Sequence, residues 1–366
     1  MDRKELLDKI NSIKPADRQA ILKAEARQAS LAKPPGSLGG LEDMSVKIAG
    51  MTGRVINRIG RGCVAVFCAD NGVAREGVSS APQSVTRAQT INFTRRLTGV
   101  GALAGSYGSE LLIVDMGVKD EIPKELYTDV PLEDTHKIVD RRLRPSGQTD
   151  NIAEGPAMTE EEALKAIETG IEMADAIAEG DFSIMGAGEM GIGNTTTSAA
   201  LLSAITGRPA EDTSGRGGGV NDEGLARKKE IIDAVSADFR EDGGILSAPE
   251  EDRAGLMIDA LVRMGGFDIC AMTGAYLGAA ANRMPIVIRI HFCCGGSDGL
   301  CPGAGFGGLH DRVTQVLRKG LPAGHRYTGA QTVPVPRYEA GRRKRMPCHV
   351  QYRQGSLRCD GEHGHV

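Results

Sequence analysis

The chain has 366 residues, 40% of them hydrophobic and 4% aromatic, with 49 Gly, no Trp and a formal net charge of −4. That length allows one large domain or two, and the near-balanced charge carries no global signal for a nucleic-acid or membrane partner. The opening Met1-Asp2-Arg3-Lys4-Glu5 is charged, unlike a signal peptide, and no apolar run approaches a membrane span, so a cytoplasmic location is expected.

Residues 1–30 carry apolar positions at helical spacing and are expected to form helix. Lys33-Pro34-Pro35-Gly36-Ser37-Leu38-Gly39-Gly40 is a rigid turn, with Ser37 as candidate cap of a helix through Met44 to Ala49. It is either a plain linker or a strap that fixes the Lys33 charge over a site. Cys63-Val64-Ala65-Val66-Phe67-Cys68 is a buried strand by its content, and Ala69-Asp70-Asn71-Gly72 turns the chain at its C-terminal end. Its cysteines have no zinc spacing and are expected to be core thiols. A helix follows from about Val85 to Leu97, with Gln89 and Asn92 on it.

Leu111 to Gly117 is a second buried strand with Asp115 near its end, and residues 120–150 are polar and expected to be irregular. Thr159-Glu160-Glu161-Glu162 has capping-box spacing ahead of an apolar stripe at Leu164, Ile167, Ile171 and Ala174. A third strand is expected from Asp181 to Met185, then a Gly-rich loop containing Gly186, Gly188, Gly191 and Gly193 with one carboxylate, Glu189. Asn194, Thr195, Thr196 and Thr197 lead into an Ala-rich helix. Strand, Gly-rich loop and helix start together suit a phosphate, because amide N–H groups and the positive helix end face the anion. A capped turn without ligand is the plainer alternative; the hydroxyl cluster and Glu189 favour the anion site.

Glu211 to Val220 reads as a flexible loop before a helix from Asn221. Lys228 on that helix is a phosphate partner if the loop folds towards the first one; spacing alone favours a solvated basic face. Gly265 to Gly274 begins a helix through Ala281, and Met284-Pro285-Ile286-Val287-Ile288 is a fourth strand. Alternating strands and helices point to an α/β fold, a parallel sheet with helices on both faces.

Five segments carry a specific likeness: Lys33 to Gly39, Cys68 to Val73 with Glu76-Gly77-Val78, Gly155-Pro156-Ala157-Met158, Gly188 to Thr196, and Gly265 to Gly274. In this order they resemble the nicotinate-nucleotide–dimethylbenzimidazole phosphoribosyltransferase family over roughly residues 30–288. That family usually has His where Asn71 stands. The resemblance implies a Rossmann-like domain, here residues 51–288, and a smaller helical domain built from both chain ends, with residues 1–50 as its N-terminal part. It also implies a homodimer, no organic cofactor, no metal, and transfer of a 5-phosphoribosyl group from nicotinate mononucleotide to a benzimidazole nitrogen. Gly191, Gly193, Asn194, Thr195 and Thr196 would then hold the phosphate with Lys228 as counter-charge. Glu189 would face the positive charge that builds on the ribose as nicotinate leaves. The base pocket would border Ala81, Pro82 and Gln89.

The family's general base is a Glu in a Met-Arg-Leu-Gly-Glu-Gly run near the C-terminus, and no such run stands here. Residues 289–366 instead hold five of the eight Cys, six of the seven His and 12 Lys and Arg against 5 Asp and Glu, out of 44 and 48 in the whole chain. A shifted reading frame explains this tail. Read from the second base of their codons, His310-Asp311-Arg312-Val313-Thr314-Gln315 permit Met-Ile-Ala-Ser-His, and Tyr338-Glu339-Ala340-Gly341 permit Met-Arg-Leu-Gly. A following Glu is allowed, and the shifted His and Met start 24 codons apart, at Thr314 and Tyr338. A genuine basic metal- or nucleic-acid-binding tail is the alternative, but Cys293, Cys294 and Cys301 lack zinc-finger spacing. Two other functional classes remain to weigh. One is a nucleotide-phosphate binder without the base. The other is a dinucleotide-dependent oxidoreductase, disfavoured because the glycines do not follow the first strand.

Overall fold

The structure is a computed structural model that describes residues 1–241 and 243–287. In chain order come α1 (Arg3–Ser12), α2 (Arg18–Ser30), α3 (Gly40–Thr52), β1 (Gly62–Ala69), α4 (Ser84–Thr94), α5 (Gly99–Ser106), β2 (Glu110–Gly117), β3 (Tyr127–Thr128) and β4 (Ile138–Asp140). Then follow α6 (Glu160–Glu179), β5 (Ile184–Met190), α7 (Asn194–Thr206), α8 (Ala210–Thr213), α9 (Asp222–Arg240), α10 (Glu250–Met264), α11 (Phe267–Ala281) and β6 (Ile286–Val287).

The strands form one six-stranded sheet in the order β3-β4-β2-β1-β5-β6. Every pairing is parallel. Strands buried on both faces need apolar residues throughout, which is why β1 and β2 read as near-continuous runs rather than alternating ones. Alternate side chains of β1 still go to opposite faces. Val66 and Cys68 pack with Phe93 of α4 and Ala104 of α5. Ala65 and Phe67 pack on the other side with residues of α6, α7 and α11. Helices therefore cover both faces, as the alternating pattern predicts.

From β1 the chain moves to β2 and on to β3 and β4, then crosses back to place β5 on the free side of β1. Connections leave β1 and β5 in opposite directions, which opens a crevice at their C-terminal ends. Ligands of open parallel sheets bind at such a reversal. The segments after β1 and β5 are Asp70-Asn71-Gly72 and Gly191-Ile192-Gly193.

Several local expectations need correction. Residues 1–30 form two helices, not one: Pro15 cannot continue α1, and Asp17 caps α2 through the Ala20 N–H (2.9 Å). Gly39, not Ser37, stands at the start of α3. Residues 120–150 are not wholly irregular, because Tyr127–Thr128 and Ile138–Asp140 extend the sheet. The loop from Glu211 begins inside the short helix α8. The largest correction concerns β5, which runs through Gly186 and Gly188 to Met190, in register with β1 from Gly62 to Cys68. Pairing with β1 on one side and β6 on the other overrides the low strand propensity of glycine. The non-strand part of the Gly-rich stretch thus shrinks to Gly191-Ile192-Gly193. Cys63 and Cys68 are buried free thiols, as expected.

The composition break, the shifted-frame tail and the missing general base were all placed on residues 289–366, and these lie outside the described residues.

Candidate active site

The site grows from the short turn between β5 and α7. Gly193 has φ +100°, a left-handed conformation that disfavours any other residue. A Cβ on Gly191 would stand 1.9 Å from the Ala69 carbonyl oxygen, so only glycine lets this turn lie against the end of β1. Asn194 N–H donates to Gly191 O (3.1 Å) and Thr196 N–H to Gly193 O (2.9 Å). Among the described residues the Gly193 and Thr195 amides have no acceptor, and no side chain caps α7. Thr196 is fully buried, and its hydroxyl has no hydrogen-bond partner among the described residues. Unpaired amides at a helix start form an anion site.

Lys228 completes it. The side chain is 1% exposed, against the solvated face that spacing favoured. Its Nζ donates to Thr195 Oγ1 (2.9 Å) and Gly215 O (3.2 Å). Among the described residues no carboxylate forms an ion pair with it, and burial pulls its pKa down to about 8. A buried ammonium with only neutral partners is costly, and a bound anion would offset that cost. Asn221 starts α9 by accepting the Gly224 N–H (2.8 Å), and Arg227 pairs with Glu76 Oε2 (2.5 Å), which anchors the first turns of α9 beside the β1 loop. Ser80 Oγ donates to Gly218 O (2.9 Å), bringing the segment before Ala81 and Pro82 against the loop that accepts from Lys228.

Glu189 is the penultimate residue of β5. Its Oε2 accepts from Asn194 Nδ2, so the carboxylate is tied to the first residue of α7. The structure therefore brings together Glu189, Gly191, Gly193, Asn194, Thr195, Thr196 and Lys228. Ala81 is half-buried and Pro82 exposed. Gln89 is half-buried on α4, one turn beyond Thr86. Lys33 is not a free charge over a site: it pairs with Glu42 at 2.7 Å.

Three further polar residues lie under the turn, none of them singled out as site residues from the sequence. Asp70, fully buried, accepts from Thr86 Oγ1 (2.6 Å) and from the Lys119 N–H (2.9 Å). Burial pushes its carboxyl up to about 6. Asp268, at the start of α11, is also fully buried; burial first, and then the charge of Glu189, push its carboxyl up to about 8. A Cβ on Gly266 would lie 2.3 Å from Asp268 Oδ1 and 2.6 Å from Asn71 Oδ1, so the Asn71 and Asp268 side chains meet there. Asp268 falls inside a Gly-flanked segment that marked a helix start; nothing in its spacing signals full burial.

The Asp268 shift has a measurable consequence. Its folded pKa exceeds the unfolded one, so its stabilising contribution is present below about pH 4 and lost as pH rises to about 8. Asp268→Asn removes that titration. Its stability relative to wild type is expected to rise across this window by up to about 1.4 kcal/mol per pH unit and then level off. Urea melts of both proteins at several pH values check this; parallel curves would show that Asp268 is ionised in the folded protein.

With this geometry in place, similarity is informative. The family described as Phosphoribosyltransferase matches residues 13–293. The chain belongs to that family. It is 42% identical over 279 residues to nicotinate-nucleotide–dimethylbenzimidazole phosphoribosyltransferase of Clostridium perfringens, covering 76% of this chain and 71% of that protein. The protein of the same name from Roseiflexus sp. is 41% identical over 283 residues, covering 77% and 74%. Among solved structures, CobT of Thermus thermophilus matches with TM-score 0.64 and 36% identity over 74% of each chain. The α/β fold and the transferase class expected from the sequence hold, and family membership does not favour the non-catalytic binder.

Proposed function

We propose that this chain moves the 5-phosphoribosyl group of nicotinate mononucleotide onto a nitrogen of 5,6-dimethylbenzimidazole. Nicotinate leaves and α-ribazole 5'-phosphate forms, a step in making the lower ligand of cobalamin. One observation carries the reading: an unpaired amide row and a buried Lys228 converge on Thr195, one turn from a carboxylate at the end of β5. The phosphate sits on the Gly193 and Thr195 amides, with the Thr196 hydroxyl beside them and Lys228 balancing its charge. Glu189 then faces the ribose, where its negative charge stabilises the oxocarbenium-like transition state. The acceptor base lies towards Ala81, Pro82 and Gln89.

The same reading makes the protein a cytoplasmic homodimer with its Rossmann-like part at 51–288 and part of a small helical domain at 1–50. No described helix is long and apolar enough to cross a membrane. Residues 289–366 are read as the product of a shifted frame; the family match stops at residue 293, close to where the composition changes. The gene's nucleotide sequence tests this directly, since a single-base shift must restore Met-Arg-Leu-Gly-Glu.

The acceptor nitrogen must lose its proton, and the family's general base has no counterpart in the written sequence. Mixing the protein with nicotinate mononucleotide and dimethylbenzimidazole is therefore expected to release nicotinate very slowly, and the frame-restored variant to release it at least about 100-fold faster. Binding of both compounds without any release by the frame-restored variant would overturn the transferase reading.

A further inference from the structure

We infer that Asp70 and Thr86 are positioning residues for the phosphate cradle, fixing Ile192 so that the Gly193 and Thr195 amides are the donors left to the ligand. This rests on the phosphate site proposed above.

Gly191-Ile192-Gly193 has two glycines in three residues and no regular structure, so its own backbone does not select one conformation. Ile192 is held on both sides. Its carbonyl accepts the Asn71 N–H (3.2 Å), and its N–H donates to Thr86 Oγ1 (3.0 Å). A threonine hydroxyl has a single hydrogen, and that hydrogen goes to Asp70 Oδ1 at 2.6 Å. The lone pairs of Thr86 are thus directed to Ile192. The other Asp70 oxygen takes the Lys119 N–H (2.9 Å), which stops the carboxylate from rotating. Asp70 remains mainly ionised at neutral pH, with a pKa of about 6, so it acts as an acceptor there.

Both Asp70 and Thr86 are fully buried and are not placed to touch a substrate. They act through the turn. The relay spans three parts of the chain: the segment after β1 carries Asp70, α4 carries Thr86, and the β5–α7 turn carries Ile192. Removing Thr86 Oγ1 leaves the Ile192 amide unpaired and in competition for the same anion, in an altered orientation.

The test is calorimetric binding of the full chain to nicotinate mononucleotide and, separately, to dimethylbenzimidazole. Thr86→Val keeps the shape and removes the hydroxyl. It is expected to weaken nicotinate mononucleotide binding at least tenfold and change base binding less than threefold; Thr86→Ser is expected to restore wild-type binding. If Thr86→Val does not fold, Thr86→Cys, whose sulfur is a weak acceptor, is read in the same way. Unchanged nicotinate mononucleotide binding, or equal loss for both ligands, overturns the positioning role. Lys228→Met is the control. If it weakens nicotinate mononucleotide binding while Thr86→Val does not, only this inference fails; if neither does, the phosphate site itself is wrong.

Discussion

Lys228→Met is expected to weaken nicotinate mononucleotide binding by roughly 10- to 150-fold, the loss of a charge-assisted contact of about 1.5–3 kcal/mol. The methionine fills the same buried space, so packing around α9 is retained. Nicotinate riboside, which lacks the phosphate, is expected to bind wild type and variant equally. The lysine sits buried beside the neutral Thr195 and Gly215 oxygens, and desolvation lowers its pKa to about 8. Replacing a desolvated charge by an apolar side chain of similar volume is often neutral or stabilising, so the ligand-free melting temperature is expected to hold or rise. A variant that folds as well and binds worse identifies a residue kept for its ligand. Calorimetric titration of both compounds reads this out, and equal loss for the two would remove Lys228 from the phosphate site.

Glu189→Gln is expected to slow nicotinate release by about 100- to 1,000-fold with nicotinate mononucleotide affinity changed by less than about threefold. Glutamine keeps an oxygen that can accept from Asn194 Nδ2, so the start of α7 stays tied to β5. The negative charge is lost, and one acceptor oxygen becomes an amide donor. A unit charge about 4 Å from a developing cation is worth about 4 kcal/mol at an effective dielectric near 20, the scale of that rate loss. Because the charge on the ribose exists mainly in the transition state, the effect falls on the rate rather than on binding. Single-turnover measurement with the frame-restored variant separates the two; a loss in affinity alone would make Glu189 a binding group.

Much of this was legible in the sequence, and the failures have physical causes. The apolar runs at Cys63–Cys68 and Leu111–Gly117 announced central parallel strands, because such strands are buried on both faces. The capping box at Thr159 marked a helix start through local hydrogen bonds that depend on neighbouring residues alone. The cluster from Gly191 to Thr196 marked the turn after β5 and the start of α7. Local signals misled where tertiary pairing decides. Gly186 and Gly188 looked like loop but are strand, since β1 and β6 supply the hydrogen bonds. Tyr127–Thr128 and Ile138–Asp140 are too short to carry a period. Lys228 looked solvated because Arg227 and Lys229 flank it; its burial comes from α9 packing on α7. Thr86 and Asp70 are 16 residues apart and meet Ile192 another 106 residues beyond Thr86, a relay that exists only after the sheet has formed.

The most direct test is a crystal of this chain soaked with nicotinate mononucleotide. The phosphate is expected within about 3 Å of both the Thr195 amide and Lys228 Nζ, with the ribose facing Glu189. A phosphate bound elsewhere, with Lys228 Nζ still donating only to Thr195 Oγ1 and Gly215 O, would contradict the account.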